Sequence, residues 1–106
     1  MAFAAGFHPA ARFEVSEAVD YYSREASDDI AAKFAEAIES AVSALKAAPT
    51  RWRVVEHPEI RRYVLRRFPF AIYYRWEPKH GQIVVYAVMH CSRAPGYWRN
   101  RLETDY

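Results

Sequence analysis

The residues of this chain that could do chemistry are guanidinium groups and aromatic rings. Arg61, Arg62, Arg66, Arg67, Arg75 and Arg93 fall on or at the ends of short β-branched and aromatic runs between Ile60 and Trp98. The last run leads into a cluster of His90, Arg93, Tyr97 and Trp98. Guanidinium forks match phosphate and carboxylate oxygens bidentately, and interleaved Tyr and Trp rings can stack on bases. His90 ends its run three residues before Arg93. A histidine there could act as a general acid or base near neutral pH, or could simply hydrogen-bond at a strand end. Any single arginine could instead be neutralised by Glu14, Glu17 or another acidic neighbour.

Other chemistries lack their residues. With only three glycines there is no glycine-rich phosphate loop. His8, His57, His80 and His90 are scattered and Cys91 stands alone, so no zinc spacing exists. No Gly-x-Ser-x-Gly elbow appears. Acidic residues are sparse in the second half, which argues against a paired-carboxylate hydrolase or a two-metal nuclease. Neither a cofactor nor a metal is expected. Cys91 reads as a small buried packing residue.

The elements that must position these residues follow from hydrophobic spacing. Phe3 to Phe7 is a short apolar edge strand. A first helix is predicted from Pro9 to Arg24, with Phe13, Val15, Ala18, Val19 and Tyr22 on its apolar face and Glu14, Glu17 and Asp20 elsewhere. Ser27 caps a second helix whose stripe is Ile30, Phe34, Ile38, Ala41, Val42 and Leu45, and Pro49 stops it. About three residues join the two, so they form an antiparallel hairpin. Then come a linker with a short strand at Arg53–Glu56, and strands at about Ile60–Phe68, Phe70–Trp76 and Ile83–His90. Ile83–His90 is apolar almost throughout, as a strand buried on both faces should be, and suits the centre of the sheet. Trp52 is expected to pack in the core or at a hinge. The predicted fold class is α+β, in the order β-α-α-β-β-β. A helical hairpin covers one face of a small, mainly antiparallel sheet, and the other face can be wet and tolerate arginines.

The 106 residues make one domain, 1–106, long enough for one core. A hydrophobic fraction of 52% argues against disorder. No apolar run approaches the roughly 20 residues that span a bilayer. The first residues lack the basic region of a secretory signal, and one cysteine suits a reducing cytoplasm. Residues 1–50 carry four basic and eight acidic side chains, and residues 51–106 carry eleven basic and five acidic, so charges of −4 and +6 face each other in one small protein. That asymmetry suits either an acidic partner for the second half or acidic helices lying on a basic sheet.

At these residues the chain resembles the RelE/ParE superfamily, toxins of type II toxin–antitoxin operons often labelled plasmid-stabilisation proteins. The likeness runs from Phe7-His8-Pro9-Ala10-Ala11, through Arg61-Arg62-Tyr63-Val64-Leu65-Arg66-Arg67-Phe68-Pro69-Phe70-Ala71-Ile72-Tyr73-Tyr74-Arg75, to Val85–His90 and then Arg93-x-Pro95-x-x-Trp98. It implies a microbial-ribonuclease-like fold and a co-encoded antitoxin that wraps the toxin, giving a hetero-oligomer. It also implies growth inhibition, either by metal-independent cleavage of mRNA at the ribosome or by poisoning DNA gyrase. For cleavage, Arg61, Arg66 and Arg93 would stabilise phosphorane charge while Tyr97 or His90 passed protons. Arg62, Arg67, Arg75 and Trp98 would contact the target or the antitoxin. For gyrase, the same basic face would serve as a docking surface. A non-toxic RNA-binding or regulatory module on the same scaffold is the alternative.

Overall fold

The computed structural model describes residues 4–56, 59–92 and 101. Each helix begins where a side chain takes up an orphan amide. His8 Nδ1 accepts from Ala10 N at 3.1 Å, and with Pro9 at the first position it opens α1, Pro9–Glu25. Ser27 Oγ accepts from Ile30 N at 3.1 Å and opens α2, Asp28–Ala47, with Asp28 and Asp29 in its first turn and Lys46 in its last. Only Ala26 and Ser27 lie between them, and Ser23 donates to the Asp28 carboxylate across the corner. Two helices so joined must fold back on each other.

Five strands form one sheet: β1 (Ala4–Phe7), β2 (Val54–Glu56), β3 (Ile60–Val64), β4 (Phe70–Glu77) and β5 (Gln82–His90). Their order is β1-β5-β4-β3-β2. All neighbours are antiparallel except β1 and β5, which run parallel. The linker strand expected before Ile60 is present as β2, and β5 lies inside the sheet between β1 and β4. Between β4 and β5, a short 3₁₀ turn at Pro78–His80 ends on Gly81, whose φ of 58° is left-handed backbone that glycine adopts without cost.

The helices cover one face. Phe34, Ile38, Ala41 and Leu45 of α2, with Ala11 and Ala18 of α1, meet Ile72 and Tyr74 of β4 and Ile83, Val85 and Val88 of β5. Toward the corner end of the hairpin, Phe34 has the rings of Tyr22, Phe68 and Phe70 at 5.0–5.4 Å between centroids. Trp52 packs against the same core, edge-on to Tyr63 at 5.0 Å. Tyr74 is fully buried and donates its hydroxyl to the Pro49 carbonyl at 2.7 Å. Burial pushes its pKa up to about 12, against the opposing charge of Arg61.

The structure corrects five expectations. Phe13 is 62% exposed, because Ala11 and Ala18 define the buried face of α1 and Phe13 lies two residues, about 200°, round from Ala11. Glu14, expected to point elsewhere, faces inward, as its place between Ala11 and Ala18 requires. β3 ends at Val64 rather than Phe68: Leu65 N donates to Phe70 O at 2.9 Å and Phe70 N to Phe68 O at 2.8 Å, closing a turn that includes Pro69, so Arg66 and Arg67 sit in that turn. The sheet face away from the helices is dry along β5, where Val84, Tyr86, Ala87 and Met89 are buried with Ile60. Cys91 is exposed, since it follows the last residue of β5.

The β4–β5 ladder is irregular at one position. Tyr73 pairs with Ala87 and Tyr74 with Val85, leaving Tyr86 as an extra residue on β5. This bulge turns Tyr86 and Ala87 to the same face, so the alternation restarts and Val88 rejoins the helix side. It falls just beyond the point where β1 departs, since Phe7 pairs with Val85 and His8 N donates to Val85 O at 2.8 Å as the last rung.

Candidate functional site

Strand alternation sorts the arginines. On β4, Ile72 and Tyr74 face the helices, so Tyr73 and Arg75 face away from them. On β3, Arg62 lies opposite Tyr73 and shares its face. Arg62 Nε donates to the Tyr73 hydroxyl at 3.1 Å, and its guanidinium carbon lies 5.9 Å from the Tyr73 ring centroid. Arg75 lies opposite Val84, and no hydrogen-bond or ion-pair partner holds it among the described residues. Arg62 and Arg75 are diagonal neighbours across β3 and β4, a relation that puts side chains about 7–8 Å apart. Two guanidinium groups flanking a tyrosine form a face that can hold an anion and stack a ring, with no carboxylate of β3 or β4 between them.

The remaining candidates go elsewhere. Arg61 faces the helix side and is spent on its own chain, donating to the Thr50 carbonyl at 3.0 Å and the Trp52 carbonyl at 2.6 Å. Its side chain is 13% exposed and Glu59 lies 3.9 Å away. It therefore fastens the α2–β2 connection to β3. Arg66 and Arg67 are exposed in the β3–β4 turn and line a groove against α2. His90 ends β5 on the α1 side, edge-on to Phe70 at 5.4 Å. Its Nδ1 lies 2.7 Å from Ser92 Oγ and accepts from Ser92 N at 3.1 Å, which assigns the proton to Nε2 when the ring is neutral. It borders a hollow of about 300 Å³ with Glu17, Tyr21 and Arg24. Arg93, Tyr97 and Trp98 lie outside the described residues. The structure thus brings Arg62 and Arg75 together with Tyr73, and separates them from Arg61, Arg66, Arg67 and His90. No group of three metal-ligating side chains occurs among the described residues, and no described helix is long and apolar enough to cross a membrane.

Sequence reasoning missed a second polar constellation. Where β1 leaves the sheet, the outer edge of β5 is taken over by side chains. Val88 N donates to Glu14 Oε1 at 3.0 Å. Arg101 donates to both Glu14 oxygens and to the Tyr86 carbonyl, each at 2.9 Å. The two side chains are only 11% and 19% exposed. His8 lies beside them; burial lowers its pKa, the Arg101 charge lowers it further, and Glu14 partly offsets both. The available signal was an acidic residue three after Ala11 and four before Ala18, on the small-residue face of a helix.

Known proteins share this fold and sequence pattern. The family model described as ParE toxin of type II toxin-antitoxin system, parDE, matches residues 6–95. The chain belongs to the ParE toxin family. This makes it a type II toxin, in keeping with the resemblance seen in its sequence. Among solved structures, the ParE-family chain is similar to one described as the chromosomal ParDE system from P. aeruginosa, with a TM-score of 0.73 and 20% identity over 83% of this chain and 95% of that one. An E. coli RelE toxin mutant in the free state gives a TM-score of 0.67 at 14% identity, over 96% of this chain and 99% of that one. The RelBE2 toxin–antitoxin complex from Mycobacterium tuberculosis gives 0.57 at 20% identity, over 85% and 99%. At such identities these likenesses speak for the fold. No curated protein matches the chain.

Proposed function

We propose that this ParE-family toxin is held in check by an antitoxin made alongside it, and that it arrests growth by binding DNA gyrase rather than by cutting mRNA. The observation that carries the binding mode is the separation of the candidate groups. Cleavage by a 2′-hydroxyl needs a proton acceptor and several cations around one phosphate. Here His90 lies on the α1 side, Arg61 is bound to two carbonyls, and Arg66 stands over a different groove. Among the described residues, what remains on one face is Arg62, Tyr73 and Arg75, which suits recognition. The antitoxin reading is supported by the family itself and by the ParDE and RelBE2 structures, whose names pair a toxin with its antitoxin.

Induction of the gene alone, with growth, transcript integrity and plasmid supercoiling followed together, tests this. Growth arrest with intact transcripts and altered supercoiling is expected, and Arg62→Ala with Arg75→Ala should relieve the arrest. Cleaved transcripts in arrested cells would replace this reading with the ribonuclease one. Unchanged growth would favour the non-toxic RNA-binding module instead.

A further inference from the structure

The basic face of the sheet extends one strand beyond Arg62. Arg62 N donates to Arg53 O at 3.1 Å, and the next rung pairs Arg61 with Val54, so Arg53 lies directly opposite Arg62, one residue before β2. Residues directly opposite share a face, with Cβ atoms about 5 Å apart. Arg53, Arg62 and Tyr73 therefore form a row across three strands on the side away from the helices, with Arg75 diagonal to Arg62. Two guanidinium groups set opposite each other repel, and such a pair weakens a sheet rather than holding it. Arg53 is exposed, and among the described residues neither it nor Arg62 has an ion pair with a carboxylate. Glu56, the acid of β2, lies opposite Ile60, past the irregularity that sets Val55 out of register. Arg62 gives its Nε to the Tyr73 hydroxyl, which leaves both Nη groups for another acceptor.

We propose that Arg53 and Arg62 form a carboxylate clamp, and that the surface it takes is a protein patch with an acidic side chain beside apolar ones. The proposal rests on the toxin reading and states what the bound target must present. Opposed cations ask for an anion. Their setting chooses carboxylate over phosphate. The row is only about 10 Å long, two strand spacings, too short for a nucleic-acid track. Val64, two residues after Arg62 and on its face, is 46% exposed. An open aliphatic beside Arg and Tyr is the composition of a protein–protein contact. Guanidinium forks from two neighbouring strands can share one carboxylate or hold two. The free chain then carries a repulsion that the bound partner removes.

Three measurements test it. In urea unfolding at low salt, Arg53→Gln should raise the folding equilibrium constant by about two- to fivefold, and Arg53→Lys should stay near the unaltered protein. The gain should vanish at high salt, where screening removes the repulsion. A Gln variant no more stable than the unaltered protein overturns the proposal, as does a gain that salt leaves intact. The second is a fluorescence titration of the purified protein with an extended peptide of alternating Glu and Val, and with a single-stranded RNA oligonucleotide of equal charge. The peptide should bind more tightly than the RNA, and Arg53→Gln should weaken peptide binding roughly tenfold. Absence of peptide binding, or an affinity that survives the substitution, overturns the proposal. So does tighter binding of the RNA, because the row would then be a phosphate site. In cells, Arg53→Gln should relieve growth arrest although the variant is the more stable protein, a combination that a purely structural role does not produce. Arrest at full strength overturns the proposal. If the unaltered chain fails to arrest growth, the toxin reading falls, and unfolding and titration still decide the clamp.

Discussion

Tyr74 and His8 are buried for opposite electrostatic ends of the pH scale. The Tyr74 phenol has its pKa raised from 10.0 to about 12 by burial. Between those values the unfolded chain loses a proton that the folded chain keeps. Its stabilising contribution is therefore intact below pH 10 and lost as pH rises toward 12. Tyr74→Phe should cost about 1 kcal/mol at neutral pH through the lost bond to Pro49, and should flatten the alkaline decline in urea unfolding midpoints. His8 behaves the other way. Its pKa is lowered from 6.5, so below that value the unfolded chain takes up a proton that the folded chain refuses, and stability falls as pH drops. His8→Asn keeps a capping acceptor and removes the titration, so the acid slope should shrink in the same measurement. Glu14 is the more severe position. Glu14→Ala leaves Arg101 buried without its carboxylate and Val88 N without its acceptor, a loss of about 3–5 kcal/mol in chemical denaturation.

Elements here are fixed mostly at their ends. Ser27 both ends the two-residue corner and caps α2, so Ser27→Ala should lower stability by about 1 kcal/mol and leave the helix content unchanged by circular dichroism. The parallel β1 covers β5 only as far as Val85, and the bulge at Tyr86 comes immediately after. An inner strand that loses its neighbour midway needs other partners for its backbone. Glu14 and Arg101 supply them from α1 and from residue 101, tying three parts of the chain at one edge. The same ending logic explains the arginines of the β3–β4 connection. Pro69 cannot donate, the ladder stops at Val64, and Arg66 and Arg67 are released from the sheet into the turn where they meet α2.

For the whole molecule, the opposed charges of the two halves do not divide cleanly into an acidic roof and a basic floor. Arg61 and Arg101 are absorbed by carbonyls and by Glu14, and Arg66 and Arg67 stand on the helix side. Among the described residues of β3 and β4, only Arg62 and Arg75 share the far face with a tyrosine. Two phosphate contacts would give a log–log salt slope of roughly −1.4 for a single-stranded RNA oligonucleotide. A shallow dependence of that size is expected in a fluorescence titration. A slope several times steeper would show an extended nucleic-acid track and would speak for cleavage over gyrase binding.

Composition and spacing alone determined the class of this protein. Helical periodicity with Ser27 and Pro49 marked the hairpin, the continuous apolar run from Ile83 marked an inner strand, and the arginine–aromatic strands with their ending carried the family. Those features are local, written in neighbours a few residues apart. Which arginines stand together was not local. Adjacent pairs such as Arg61 and Arg62 point to opposite faces, and each fate depends on what lies across the sheet. Arg61 met carbonyls eleven and nine residues away, Arg62 met Tyr73 on the next strand, and Glu14 met an arginine 87 residues along the chain. Contacts of that range, and a bulge that resets one strand's alternation, exist only once the sheet has closed.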